Sequence, residues 1–319
     1  MRVLVTGAAG FYGWTMVQRL LKKPEIEKVI GVDNFSRTFF DRIKPELLGE
    51  NTARFEMHKM DYAKLDAHIL NNFDLDAIIH FAAFVSIDES MLIPNEYFLN
   101  NEIGTFNFSQ SILKTKKQPQ LIFASSPEVY GNPRYTPIDE NHPLNPRSTY
   151  AATKVACEKH CMSMYEWYGY PVTAMRNFNT YGPNQNIWGH GAVLPTFINR
   201  ALHSEPLRIE GDGTQTRDFM FIEDAVAAYE MALDNPKKAK GEIFNIGTGV
   251  QTSVKDLAQK VLTATNSKST IEFVPGRKGD LFALAADTKK IHEKLGWQPT
   301  TPFETGLKKT VEWYKQYQK

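Results

Sequence analysis

Residues 6–13, Thr6-Gly7-Ala8-Ala9-Gly10-Phe11-Tyr12-Gly13 (TGAAGFYG), follow the apolar run RVLVT and precede a helix-like segment. A GxxGxxG spacing between strand and helix suits a backbone that must approach a pyrophosphate. Without β-carbons at Gly7 and Gly10 the turn can be tight and the approach close, and without one at Gly13 the helix can press on the strand. The free N–H groups and partial positive charge of the helix start then face the phosphates. A glycine loop alone is equally the mark of a structural turn, so its context decides. The second apolar run, KVIGVD, closes a βαβ unit and ends at Asp33, twenty residues beyond Gly13. A carboxylate there accepts hydrogen bonds from the adenosine ribose hydroxyls and repels a 2′-phosphate, which favours NAD over NADP. Arg37, four residues later, is placed to soften that exclusion. Asp61, just after the third strand, falls where the adenine edge should lie, and its plainer alternative is a helix-start acid.

The rest of the chain fits the same plan. RVLVT, KVIGVD, RFEMHKM, DAIIHFA, QLIFASS and VTAMRNF are short, β-branched and nearly continuous in hydrophobicity, as strands covered on both faces are. They alternate with predicted helices around 11–23, 64–72, 95–116 and 148–169, the third opening near Pro94. The pattern predicts an α/β fold, a doubly wound parallel sheet of Rossmann type, with a smaller carboxyl-terminal α/β domain. Residues 1–178 are expected to form the dinucleotide-binding domain and 179–319 the substrate domain, with a segment near 220–247, including the strand-like GEIFNIGTG, returning to the first. A GDG turn is expected at Gly211 to Gly213, and terminal helices in the last 30 residues.

Composition sets limits on function. At 319 residues one large or two unequal domains are expected. Lys plus Arg number 37 against 36 Asp plus Glu, so no global field attracts a polyanion and nucleic acid is disfavoured. The first strand is expected to begin at Arg2 and no signal peptide is expected before it, and no apolar run reaches the roughly 18 residues of a membrane helix. A cytoplasmic location is expected, with no membrane partner. Cys157 and Cys161, one helical turn apart with His160 between them, lack a second ligand pair at zinc spacing, so reduced core or interface thiols are expected and no metal.

The segment STYAATKVACEKH places Tyr150 and Lys154 four apart on one helix face. A phenol titrates near ~10 in isolation, and an adjacent ammonium favours its ionised form. YxxxK alone is common enough to be a surface pair. Here Ser126 accompanies it at the end of the fifth strand, on the carboxyl edge where open α/β sheets bind ligands.

Taken in order, TGAAGFYG, Asp33, HFAAF, NNEIGT, SSPEVYG, YAATK, RNFNTYGP, GDGTQTRDF and GRKGDLFALAAD resemble the extended short-chain dehydrogenase/reductase family, specifically its nucleotide-sugar epimerases and dehydratases. The resemblance covers essentially the whole chain. It implies that Tyr150 takes the proton from a sugar 4-hydroxyl while NAD+ accepts hydride from carbon 4, that Lys154 binds the nicotinamide ribose, and that Ser126 bonds the reacting oxygen. It further implies a dinucleotide site lined by the glycine loop with Phe11 and Tyr12, by Asp33 and Asn34, by Asp61 and Tyr62, by Phe81, Ala82 and Ala83, and by Asn101. Asn179, Arg217 and Arg277 match positions that hold the nucleotide diphosphate or neighbouring substrate groups, and Asp280 one that supports the nucleotide ribose. A homodimer through the YxxxK helix and the preceding long helix is also implied.

Family members oxidise carbon 4 and then diverge into epimerisation, dehydration or decarboxylation. In the resembling 4-epimerases the position of Glu128 is usually small or hydroxylated, whereas sugar 4,6-dehydratases and UDP-glucuronate decarboxylases often carry Glu. Glu128 is therefore a candidate for proton transfer. The typical dehydratase of deoxythymidine-diphosphate sugars, however, has an acid where this chain has Pro127. GRKGDLFALAAD is most similar to UDP-galactose 4-epimerases, although Val85 replaces a lysine frequent in them. Leu284 falls near a position that decides whether an N-acetyl group fits. A UDP-sugar 4-epimerase is the favoured expectation, followed by a dehydratase or decarboxylase using Glu128. A dinucleotide sensor without turnover is disfavoured because Tyr150 and Lys154 are both present.

Overall fold

A computed structural model describes residues 1–37, 45–186, 192–276 and 282–317. The first part of the chain alternates β1 (Arg2–Thr6), α1 (Phe11–Leu20), β2 (Lys28–Asp33), β3 (Phe55–Lys59), α2 (Ala67–Phe73), β4 (Ala77–His80), α3 (Ile87–Leu92), α4 (Pro94–Tyr97), α5 (Gly104–Leu113), β5 (Gln120–Ser125), α6 (Thr149–Tyr168) and β6 (Val172–Asn177). Then come β7 (Asn179–Tyr181), α7 (Val193–Leu202), β8 (Leu207–Glu210), β9 (Thr216–Arg217), β10 (Phe219–Phe221), α8 (Ile222–Asp234), α9 (Pro236–Ala239), β11 (Glu242–Ile246), β12 (Thr252–Ser253), α10 (Val254–Thr265), β13 (Ile271–Val274), α11 (Lys289–Leu295) and α12 (Phe303–Tyr317).

Seven strands make one sheet in the order β11-β6-β5-β4-β1-β2-β3, every neighbour parallel. The strand order reverses between β1 and β4, where a crevice opens at the carboxyl ends. Register brings those ends level: Thr6 faces Val32 and His80, and Ser125 faces Arg176. Alternation along β1 feeds two cores. Val3 and Val5 pack with Trp14 and Val17 of α1 and Val226 and Tyr229 of α8, whereas Leu4 packs with Phe108 of α5 and Cys157, Cys161 and Met164 of α6. The GEIFNIGTG segment supplies the edge strand β11, paired with β6.

Local chemistry explains the boundaries. The Ser148 hydroxyl caps α6 by accepting from Ala151 N, and Gly169 ends it in the left-handed region. The helix expected over 95–116 opens at Pro94 but contains a π-helical turn over Phe98–Ile103 before α5 begins at Gly104. Gly211 and Gly213 both have positive φ, and Asp212 accepts from Thr214 N, which makes the expected GDG turn. Beyond it β8 and β13 form a separate parallel pair.

Candidate active site

The glycine loop lies between β1 and α1, and the chain itself accounts for two of its glycines. A β-carbon on Gly13 would stand 2.0 Å from the Gly7 carbonyl oxygen, and one on Gly7, at φ +68°, would stand 2.8 Å from Ala82 N. Gly13 thus lets the helix start press on the loop residues Gly7 and Ala8 rather than on the strand itself, while Gly7 serves contact with the loop after β4. Gly10 caps α1 without a side-chain bond, and no acid sits in the first turn. The helix-start N–H groups are left to meet an anion.

Asp33 reaches back to this loop. Its carboxylate accepts from Ala9 N at 3.1 Å and Phe35 N at 2.8 Å. Burial pushes it above the usual carboxylate range, and these two bonds act in the opposite direction. Both oxygens retain lone pairs that ribose hydroxyls could fill. Asn34 closes a turn by accepting from Ser36 N. Arg37 is committed elsewhere: it pairs with Glu89 at 2.5 Å and lies 4.1 Å from the centre of the Phe84 ring. It therefore does not stand as a cation waiting for a 2′-phosphate. Asp61 caps the short turn Tyr62–Lys64 by accepting from Ala63 N, so the helix-start alternative describes one of its oxygens. The Tyr62 side chain points into the core, donating to the Asn100 carbonyl and lying against His80 and Phe108. Phe81 N bonds Thr6 O and Ala82 N bonds the Thr6 hydroxyl, which brings the Phe81–Ala83 backbone against the glycine loop. Asn101, in the π-helical turn, spends its amide on Phe84 N, Phe84 O and Thr153. It positions the wall and leaves little for a ligand.

Tyr150 and Lys154 are both buried on α6, facing the end of β5. Ser126 lies one residue past β5 and caps the turn Pro127–Tyr130 by accepting from Glu128 N at 3.3 Å. The Ser126 hydroxyl lies near enough to the Tyr150 phenol to act on its ionisation. Burial raises its pKa above the ordinary phenol value, Ser126 opposes the rise and the Glu128 carboxylate adds to it. The Lys154 ammonium donates to the Ala124 carbonyl at 2.8 Å, and burial pushes it below the usual lysine value. Tyr150, Lys154, Ser126 and Glu128 are thus brought together. The Lys154 ammonium is thereby held at the end of β5, one helical turn from Tyr150 on α6.

On the other side of the crevice Asn179 opens β7, and its side-chain oxygen is buried with no hydrogen-bond partner among the described residues. Arg217 lies in β9, its guanidinium donating to the Thr216 carbonyl. Arg277 and Asp280 fall outside the described residues. Leu284 is completely buried among Val129, Tyr130 and Phe178, the first two directly following Glu128 in the chain. Val85 is exposed. Among the described residues no group of His, Cys, Asp and Glu could hold a metal ion, and both cysteines are free and buried.

Two buried polar junctions and one ring, Tyr229, escaped the sequence reading. Asp218, fully buried, accepts from Thr248 N, the Thr248 hydroxyl, Gly249 N and Ala286 N, joining three distant segments. Glu158 and Arg176 form a buried ion pair at 2.6 Å; Ser125 also donates to Glu158, and Arg176 to Tyr130. Tyr12, Phe81 and Tyr229 pack ring to ring beside the crevice. A signal existed for Glu158, which follows Lys154 by four on the same helix face. None existed for Arg176, whose partner is settled by how α6 packs on β6.

A Rossmann sheet with a serine, a tyrosine and a lysine converging at its carboxyl edge defines a dinucleotide-dependent enzyme of the extended short-chain dehydrogenase/reductase type. Residues 4–310 match the family model described as GDP-mannose 4,6 dehydratase, and the chain belongs to that family. It is an NAD-dependent enzyme of the nucleotide-sugar epimerase and dehydratase class. A UDP-glucose 4-epimerase of Mycolicibacterium smegmatis is 34% identical over 99% of both chains. A UDP-N-acetyl-alpha-D-glucosaminuronate decarboxylase of Bacillus cytotoxicus is 35% identical over 99% of this chain and 98% of its own. The solved structure of a UDP-glucuronic acid 4-epimerase from Bacillus cereus, with UDP-glucuronic acid and NAD, is 30% identical, covers 99% of both chains and superposes with a TM-score of 0.87.

Proposed function

We propose that this chain is a UDP-sugar 4-epimerase, with Tyr150 as the proton-transfer group at the sugar 4-hydroxyl and Ser126 bonding the same oxygen. The observation that carries it is that buried Tyr150 and buried Ser126 lie together at the end of β5, with Lys154 held to the Ala124 carbonyl beside them. NAD+, when bound, supplies the hydride acceptor for carbon 4 and a positive charge that favours the phenolate. The glycine loop, Asp33, Asn34, Asp61, the backbone of Tyr62 and of Phe81–Ala83, and Lys154 hold the dinucleotide; Asn179, Arg217 and Arg277 hold the nucleotide diphosphate or neighbouring substrate groups, and Asp280 supports the nucleotide ribose. Residues 1–178, with about 220–247, serve the first task, and 179–319 the second. Pro127 supports epimerisation over dehydration, because it cannot donate a proton where the dehydratase acid stands.

One observation favours a second reading. Glu128 acts electrostatically on the Tyr150 phenol, so its carboxylate is near the reacting groups and could move a proton in a dehydratase or decarboxylase. Incubation with UDP-glucose, UDP-galactose, UDP-glucuronate, a GDP-hexose and a deoxythymidine-diphosphate hexose, scored for inversion at carbon 4, loss of water and release of carbon dioxide, separates the three. Inversion that survives Glu128→Gln is expected; carbon dioxide or water loss that vanishes in that variant would overturn the epimerase assignment.

The enzyme is further proposed to be a cytoplasmic homodimer. The two buried free thiols suit a reducing compartment. Leu99 in the π-helical turn, at 60% exposure, and Trp167 in α6, at 82%, are supported by exposed Leu92 and Phe98. Phe106 of α5 lies 5.1 Å from His160 of α6, so the two helices adjoin at the surface. Apolar side chains gathered on adjoining helices suit a second copy.

A further inference from the structure

Tyr12 belongs to the glycine loop, yet its side chain leaves it. Its hydroxyl is bonded to the Thr180 hydroxyl, 168 residues along the chain. The Thr180 proton goes to the Phe178 carbonyl at 3.0 Å, so toward Tyr12 the Thr180 oxygen accepts and Tyr12 donates. The Tyr12 ring is held 5.3 Å from Phe81 and 6.2 Å from Tyr229. Tyr229, fully buried on α8, accepts a 2.7 Å bond from Asn177 Nδ2. Two phenols from different helices thus grip Asn177 and Thr180, at either end of the short run from β6 into β7. Inside that run lies the orphaned buried oxygen of Asn179, an acceptor that a ligand donor would complete.

We propose that the Tyr12–Thr180 hydrogen bond is a latch between two ligand sites, tying the loop that holds the dinucleotide to the segment that holds the nucleotide sugar, so that occupancy of one changes affinity for the other. The inference rests on the function proposed above. Ring packing alone is non-directional and lets the two segments slide, whereas a donated bond sets their relative position. Coupling between the sites is reciprocal by thermodynamic necessity, so it can be read from either ligand. Tyr12 is a positioning residue: its proton is committed to Thr180 and takes no part in the transfer at Tyr150.

The test uses the full chain loaded with NAD. The rate of NAD release after dilution is followed with and without UDP in wild type, Tyr12→Phe, Thr180→Val, Thr180→Ser and the Tyr12→Phe/Thr180→Val double variant. UDP should slow release from the wild type. Removing the hydroxyl in Tyr12→Phe, or the acceptor in Thr180→Val, should shrink that slowing by about three- to tenfold, the worth of one hydrogen bond. Thr180→Ser, which keeps the acceptor, should restore it, and the double variant should be no worse than the worse single. An undiminished UDP effect in Tyr12→Phe, or simple additivity in the double variant, overturns the latch and leaves the proposed function standing. So does a wild type that binds NAD and UDP independently. A wild type that binds neither ligand removes the function and the latch together. If Tyr12→Phe does not fold, the Thr180→Val and Thr180→Ser pair decides, and equal UDP effects in these two overturn the latch.

Discussion

The Tyr150 phenol sits in surroundings that oppose its ionisation. Burial is the largest influence, the neighbouring Glu128 charge adds to it, and only the Ser126 hydroxyl relieves it. A positive charge brought beside the phenol by bound NAD+ would favour the phenolate. Tyr150→Phe should lower turnover about 10²- to 10⁴-fold while NAD binding persists; bound NAD titrated by fluorescence beside a turnover assay checks both halves, and near-normal turnover would end the assignment. At Arg37 the residue type invited a phosphate partner, but Glu89 and the Phe84 ring occupy it. With Asp33 accepting from the loop, the preference for NAD rests on a carboxylate with no counter-cation from Arg37.

Elements meet at the carboxyl edge through buried polar groups, and His80 shows what that implies for pH. At the end of β4 its ring bonds the Thr6 hydroxyl of β1 at 2.6 Å and the Thr105 hydroxyl of α5 at 3.2 Å. Burial, with a smaller push from the Lys154 charge, holds its pKa down at about 3. The unfolded chain takes up this proton near ~6.5 and the folded chain does not, so between about 6.5 and 3 the unfolded state binds more protons. Stability then falls as pH falls through that window, by up to ~1.4 kcal/mol per unit from this group, and is intact above it. Urea unfolding at pH 7, 6, 5 and 4 should show that loss, and His80→Asn should flatten it; an equal slope in the variant would place the acid sensitivity elsewhere. The π-helical turn is another junction of elements. Asn101 on it reaches the Phe84 backbone and Thr153 of α6, which a regular helix with the same residues would misalign. The Glu158–Arg176 pair joins α6 to β6 directly beneath Ser125, so the strand end carrying Ser126 and the helix carrying Lys154 share one support.

For the whole molecule, assembly is the property to measure. Leu99→Glu places a charge in the exposed apolar face and should shift sedimentation from dimer to monomer with unfolding unchanged, since that side chain contributes little to its own core. A wild type that already sediments as a monomer would refute the homodimer. The central sheet, the glycine loop, the Asp33 terminus and the Tyr150–Lys154 pair were legible in the residues because each depends on short-range pattern: β-branched runs, glycine spacing, a four-residue helical repeat. The same holds for the GDG turn and the start of the long helix at Pro94. What Arg37 and Tyr12 bind, how Asn101 is used, the environment that raises the Tyr150 pKa, and the Asp218 and Glu158–Arg176 junctions depend on residues far apart in the chain. Local propensity sees only a few neighbours in sequence, whereas burial and hydrogen-bond partners are set by which strands and helices the packed sheet brings side by side.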